Sequence, residues 1–149
     1  MGRRRKSKKP FAGPPEQFTF FVDAALGGVK VAEALGKLGL VVVRHDDRFA
    51  QGTADEDWLP ELGARGWILL TKDDRIRSTT EQREILLAAG VRAFILTSAN
   101  LTGEQMAAAF TKAALRMQRL VRGEPRSFIA GVSRAGKVTL LIRGPKRMR

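Results

Sequence analysis

The sequence predicts an α/β domain of three layers, with a mostly parallel central sheet and a C-terminal β-hairpin at its edge. Three observations predict it. Compact apolar runs of strand length alternate with segments of helical periodicity along nearly the whole chain. That order gives parallel sheets covered by helices on both faces. The first, second and third of these runs lead straight into acidic residues, and sites in such sheets lie beyond the carboxyl ends of the strands. The last two runs are joined only by Ser133–Arg134–Ala135–Gly136, the spacing of a hairpin.

Phe18–Val22 is a bounded apolar run and reads as the first strand. Ala24–Leu38 carries Val31, Leu35 and Leu38 at helical spacing, and Gly39 stops it. Leu40–Val43 is β-branched, hence a second strand. A loop follows through Gly52. Thr53 and Glu56 have the spacing of a capping box, which starts a short helix over Ala54–Leu62. Trp67–Leu70 is the third strand. Ser78 and Glu81 repeat the capping-box spacing, and the helix behind them ends before Gly90. Arg92–Leu96 is the fourth strand. Thr102 and Gln105 open a longer helix that ends near Gly123. Phe128–Val132 and Lys137–Ile142 form the hairpin, and the crossovers between parallel strands should be right-handed.

The 149 residues suit one domain, and a hydrophobic share of 44% can fill its core. Charge divides the chain into a basic, disordered tail over 1–16, a domain over 17–142 and a second basic tail over 143–149. Residues 1–10 hold six basic side chains and residues 143–149 hold four, with no acid in either. The other 17 nearly balance the 15 acids, so the net +12 resides mostly in the tails. Such tails attract phosphate backbones without reading sequence, or serve solubility alone. With no cysteine there is no disulfide, thiolate metal site or cysteine nucleophile, which agrees with a cytoplasmic location. No apolar run approaches the about 20 residues needed to span a bilayer. A secretory signal is rejected because Pro10, Pro14, Pro15, Glu16 and Gln17 stand where its apolar stretch should be.

Chemistry collects at the strand ends. Asp23 closes the first strand, where an acid has no capping duty. Asp46 and Asp47 follow the second, in a polar loop that solvates them. Asp55, Glu56 and Asp57 open the next helix, where acids also simply complement the helix dipole. Asp73 and Asp74 follow the third strand, and Ser78 relieves them of capping the helix behind. Carboxylates crowded at one edge repel unless a cation sits among them, and hard oxygen ligands suit Mg²⁺ or Mn²⁺. His45 is the sole histidine, which argues against zinc and against a Ser/His/Asp set. No GxGxxG or GxxxxGK[ST] loop occurs, and Gly27–Gly28 is a weak phosphate-loop signal.

Basic side chains on the body could hold nucleic acid. Lys72, Arg75 and Arg77 flank the third acidic group. Lys112, Arg116 and Arg119 recur at i, i+4 and i+7 on the long helix, although a solvated helix face explains them equally. With no tyrosine and no RRM signature, recognition would rest on backbone charge and shape.

The runs FFVDAALGGVKVAEALGKLGLVVV, GTADEDWL and GWILLTKDDRIR resemble the PIN-like domains of the VapC toxin type and their Mut7-C-like relatives. The likeness spans roughly Phe18 to Ile142. It implies a Mg²⁺- or Mn²⁺-dependent ribonuclease, often the toxin of a toxin–antitoxin pair and often a homodimer. By the same resemblance Asp23 matches the first-strand acid, Asp55 the acid opening the short helix and Asp73 the acid after the third strand. Asp74 is a further candidate metal ligand. The usual PIN pattern has another acid after the fourth strand. Here that stretch reads Thr97–Ser98–Ala99–Asn100, which favours one firmly held metal over two.

The sequence therefore points to an RNA endonuclease with Asp23, Asp55 and Asp73 as catalytic residues. Two alternatives accompany it. One is a PIN-like module that binds RNA or protein and cuts poorly. The other is a Toprim-type phosphoryl-transfer domain, which would require Asp55–Glu56–Asp57 to close a strand rather than open a helix.

Overall fold

The computed structural model describes residues 18–26, 29–50 and 52–145. The expected tail over 1–16, most of the tail over 143–149, and Gly27–Gly28 lie outside the described residues. Six strands form one sheet: β1 (Thr19–Val22), β2 (Val41–Arg44), β3 (Ile68–Thr71), β4 (Arg92–Leu96), β5 (Phe128–Val132) and β6 (Val138–Arg143). Their spatial order is β2-β1-β3-β4-β5-β6. The pairs β1/β2, β1/β3, β3/β4 and β4/β5 are parallel, and β5/β6 is the antiparallel hairpin at the edge. The predicted fold class is the observed one.

Two cores make the three layers. Side chains alternate across a strand, so Phe20, Val22, Ile68, Leu70, Phe94 and Leu96 pack on one face with helices α1 (Lys30–Lys37) and α6 (Gly103–Gly123). Phe21, Leu69, Ala93 and Ile95 pack on the other with α3 (Asp55–Arg65) and α5 (Thr80–Ala88). The interior parallel strands β3, β4 and β5 are buried on both faces, which explains their almost unbroken apolar reading, whereas the edge strand β2 is partly exposed.

Several local expectations are corrected. The stretch after β1 is a 3₁₀ turn, Ala24–Leu26, and the helix proper begins at Lys30. The loop expected after β2 contains a single-turn helix, α2 (His45–Arg48). Thr53 does not cap α3, because its hydroxyl donates to the Ala50 carbonyl at 2.6 Å and Ala54 is the N-cap. Ser78 does not cap α5 either. It ends another single-turn helix, α4 (Arg75–Ser78), and its hydroxyl donates to the Asp74 carbonyl. The box at α6 forms as predicted: the Gln105 N–H donates to Thr102 Oγ1 at 3.1 Å, and the Thr102 N–H donates to Gln105 Oε1 at 2.9 Å. Arg143, assigned to the tail, is the last residue of β6 and donates to Glu124 at 2.6 Å. Asp55 opens a helix, so the strand-end DxD of the Toprim reading is absent.

Candidate active site

The chain reverses direction across the sheet at one place. From β1 it crosses to β2 on one side, then returns to β3 on the other. The crevice beyond the carboxyl ends of such a switch is where α/β sheets bind ligands. Asp23 follows β1 there, and Asp73 follows β3.

A buried hydroxyl joins the two acids. Thr71, the last residue of β3, is 1% exposed. Its Oγ1 donates to Asp23 Oδ2 at 2.7 Å and accepts the Asp73 N–H at 3.0 Å. The Asp23 N–H donates to the Leu70 carbonyl at 3.0 Å, so both strand ends are tied across the switch. Sequence reasoning misses Thr71 as a site residue. Its one signal is a lone hydroxyl closing an otherwise apolar ILLT strand.

Asp55 arrives from the helical layer. It is the first residue of α3, and Trp58 fixes that end of the helix by packing on Phe21, ring centroids 5.6 Å apart. His45 completes the packing. It is buried among Phe21, Phe49 and Trp58, with Nδ1 at 3.2 Å from Asp46 Oδ1. Burial raises the Asp55 carboxyl above its ordinary range, and the negative charges of Asp23 and Asp73 raise it further. The three acids expected from sequence therefore lie within one another's field.

Arg75 supplies the nearest opposite charge. Its Nη2 lies 2.7 Å from Asp73 Oδ2, its Nε 2.9 Å from Asp73 Oδ1, and its backbone N–H donates to Asp73 Oδ1 at 3.0 Å. This fork holds the Asp73 carboxyl below the usual carboxylate range, chiefly through the guanidinium hydrogen bonds. Arg75 also feels Asp55 and Asp23, which with Asp73 raise its own pKa. Asp73 thus has a structural duty at the start of α4, contrary to the expectation that a Ser78 cap would relieve it of one. Asp74 points elsewhere: it pairs with Arg77 at 2.7 Å and is half exposed.

Beside the acids lies a cleft of about 570 Å³, within the usual size of ligand pockets. Its lining includes Lys72, Asp73, Asp74, Arg75 and Arg77 from the segment after β3 and Thr97–Asn100 from the segment after β4. Leu96, Leu101 and Met106 contribute apolar surface. Lys112, Arg116 and Arg119 are exposed on α6 outside this cleft, and Arg116 donates to the Gly136 carbonyl at 3.1 Å.

The donors at the switch are hard carboxylate oxygens whose mutual repulsion a cation would relieve, so their chemistry fits a divalent ion. Their spacing is more open: among the described residues no three His, Cys, Asp or Glu side chains form a group that could hold a metal ion. One of the three candidate acids, Asp73, is engaged by the Arg75 guanidinium.

The parallel sheet, with acids at its switch point, defines an α/β domain with a carboxylate site at its strand ends. A family model described as a PIN like domain matches residues 18–98. That is more than half of the chain, and the chain belongs to this family. PIN domains are generally nucleases and typically use divalent metals. The match covers β1 to β4 and ends at Ser98, within the cleft wall. No curated protein and no solved structure matches the chain. Among the described residues no helix is long and apolar enough to cross a membrane.

Proposed function

We propose that the protein is a metal-dependent endoribonuclease and the toxin of a toxin–antitoxin pair, acting in the cytoplasm. The observation that carries the reading is the buried Thr71 hydroxyl that joins the Asp23 carboxylate to the Asp73 backbone at the switch point, with Asp55 near enough to feel both charges. Asp23, Asp55 and Asp73 would hold one Mg²⁺ or Mn²⁺ once Arg75 releases Asp73, with Asp74 freed from Arg77 as a further candidate. When bound, such an ion activates a water and polarises the scissile phosphodiester. The chain's own part is positional. Thr71 fixes the Asp23 carboxylate and the Asp73 backbone together. Lys72 and Arg77 draw the phosphate backbone, and Arg75, once displaced, is a free guanidinium beside it. An antitoxin protein and a second copy of the chain are the expected partners.

The test is cleavage of RNA by the purified chain with Mg²⁺ or Mn²⁺. Asp23→Asn and Asp73→Asn should abolish cutting while circular dichroism stays unchanged. One observation favours a second reading, a PIN-like module that binds RNA or protein but cuts poorly. The Arg75 fork satisfies Asp73 without a metal, and Thr97–Asn100 offers no further acid. Salt-sensitive RNA binding with no cleavage in either metal, unchanged by Asp23→Asn, would select that module.

A further inference from the structure

We infer that the cleft beside the acids is the seat of a single ribonucleotide of the substrate, and that the segment after β4 is its recognition wall. The identity of the polymer rests on the nuclease reading, but the cleft itself stands on its own residues.

Three features point to a nucleotide rather than to a bare anion or an apolar ligand. First, the basic charge comes from one segment, Lys72 to Arg77. Lys72 is exposed and has no ion pair among the described residues, whereas Arg75 and Arg77 each share a carboxylate. Phosphate would meet Lys72 first. Second, the lining from the segment after β4 is neutral and doubly functional. Ser98 and Asn100 carry a hydroxyl and an amide, which can both donate and accept. They stand where another carboxylate would repel phosphate. Asn100 holds a left-handed backbone, φ 61°, a conformation that asparagine tolerates. Sugar hydroxyls need this kind of partner. Third, Leu101 and Met106 add apolar surface at the start of α6. Phosphate has no use for it, but a nucleobase or the carbon face of ribose does. Among the described residues no aromatic side chain lines the cleft, so the seat accepts a base by contact rather than by stacking, and sequence preference should be low.

Position links the seat to the chemistry. Asp73 and Arg75 belong to both the acid group and the cleft lining. A strand whose phosphodiester lies at Asp23, Asp55 and Asp73 would therefore continue with its neighbouring nucleotide in the cleft. The loop after β4 then has no need of an acid, because it binds substrate and leaves the metal to the other strand ends.

The probe is adenosine monophosphate, added to the full chain in EDTA and followed by amide chemical shifts. A mononucleotide avoids the ten basic residues of 1–10 and 143–149, which would hold longer RNA by charge alone. Shifts should concentrate at Lys72, Ser98, Asn100, Leu101 and Met106. Lys72→Ala, Ser98→Ala and Asn100→Gly should each weaken binding by about threefold to tenfold, the range of a single hydrogen bond. Glycine keeps the left-handed backbone at position 100. An unchanged melting temperature in these variants separates weakened binding from weakened folding. Shifts centred on Lys112, Arg116 and Arg119 would overturn the proposal. So would no binding at all, or inorganic phosphate that reproduces the whole pattern including Leu101 and Met106. Because metal is absent throughout, failure of RNA cleavage leaves this result standing, and loss of the cleft leaves the nuclease test standing.

Discussion

Asp55 and Asp73 are neighbours in one electrostatic field, yet they respond to it in opposite ways. Asp73 is held below its ordinary 3.8 by Arg75. Its contribution to stability is present above the unfolded value and is lost as pH falls through the lower folded one. Asp55 is raised from 3.8 by burial, then by Asp23 and Asp73. The folded state is therefore penalised as pH rises through the raised value, and the penalty is absent below the unfolded one. Asp55→Asn should raise the melting temperature at neutral pH, with no gain below about pH 3.8. Thermal melts across pH read this directly, and a destabilised variant at neutral pH would contradict it. Arg75 gives a second prediction. If Asp73 is the metal ligand proposed above, the guanidinium seated on it competes with the metal, so Arg75→Ala should tighten Mn²⁺ binding by up to about fivefold, the equivalent of one exposed ion pair. Titration calorimetry measures it, and unchanged or weaker binding would remove Arg75 from the competition.

At the scale of elements, α3 matters most, because it carries Asp55 to the switch point. Its partner is α5, and Gly63 makes the approach possible. A Cβ there would overlap the Ala89 carbonyl. Gly63→Ala should cost roughly 1–3 kcal/mol in chemical denaturation, as overpacked sites do. A neutral result would mean that the two helices part easily. The same elements show what the sequence could and could not disclose. Strand positions were legible because buried parallel strands are apolar runs that end abruptly, as Val22 does before Asp23. Thr102 and Gln105 were legible because a capping box is local. Thr53 and Ser78 have the same spacing and fail, since each hydroxyl reaches a nearer carbonyl instead. Thr71 was illegible as a site residue because its role depends on Asp23, 48 positions away, and on β3 pairing with β1. Asp55 was equally ambiguous. Only the packing of Trp58 on Phe21 turns a helix-start acid into part of the group.

At the scale of the molecule, the topology chooses the site. The strand order β2-β1-β3 opens the crevice between β1 and β3, and both acid-bearing strand ends meet there. The basic tails of the sequence are expected either to add unspecific attraction for RNA or to serve solubility alone. Removing residues 1–16 should flatten the salt dependence of RNA affinity, by about 0.7 in logarithmic slope for each phosphate that the tail neutralises. It should leave the mononucleotide shifts in the cleft untouched. An unchanged slope would confine the tail to solubility. The proposed function stands on Asp23, Asp55 and Asp73 together supporting metal-dependent cutting of RNA. The most direct measurement is a time course of RNA cleavage by the full chain in Mn²⁺, beside the same reaction in EDTA and the Asp23→Asn variant in Mn²⁺. Cutting is expected in the first reaction alone. Equal cutting in all three, or none in any, would contradict a metal-dependent site built on these acids.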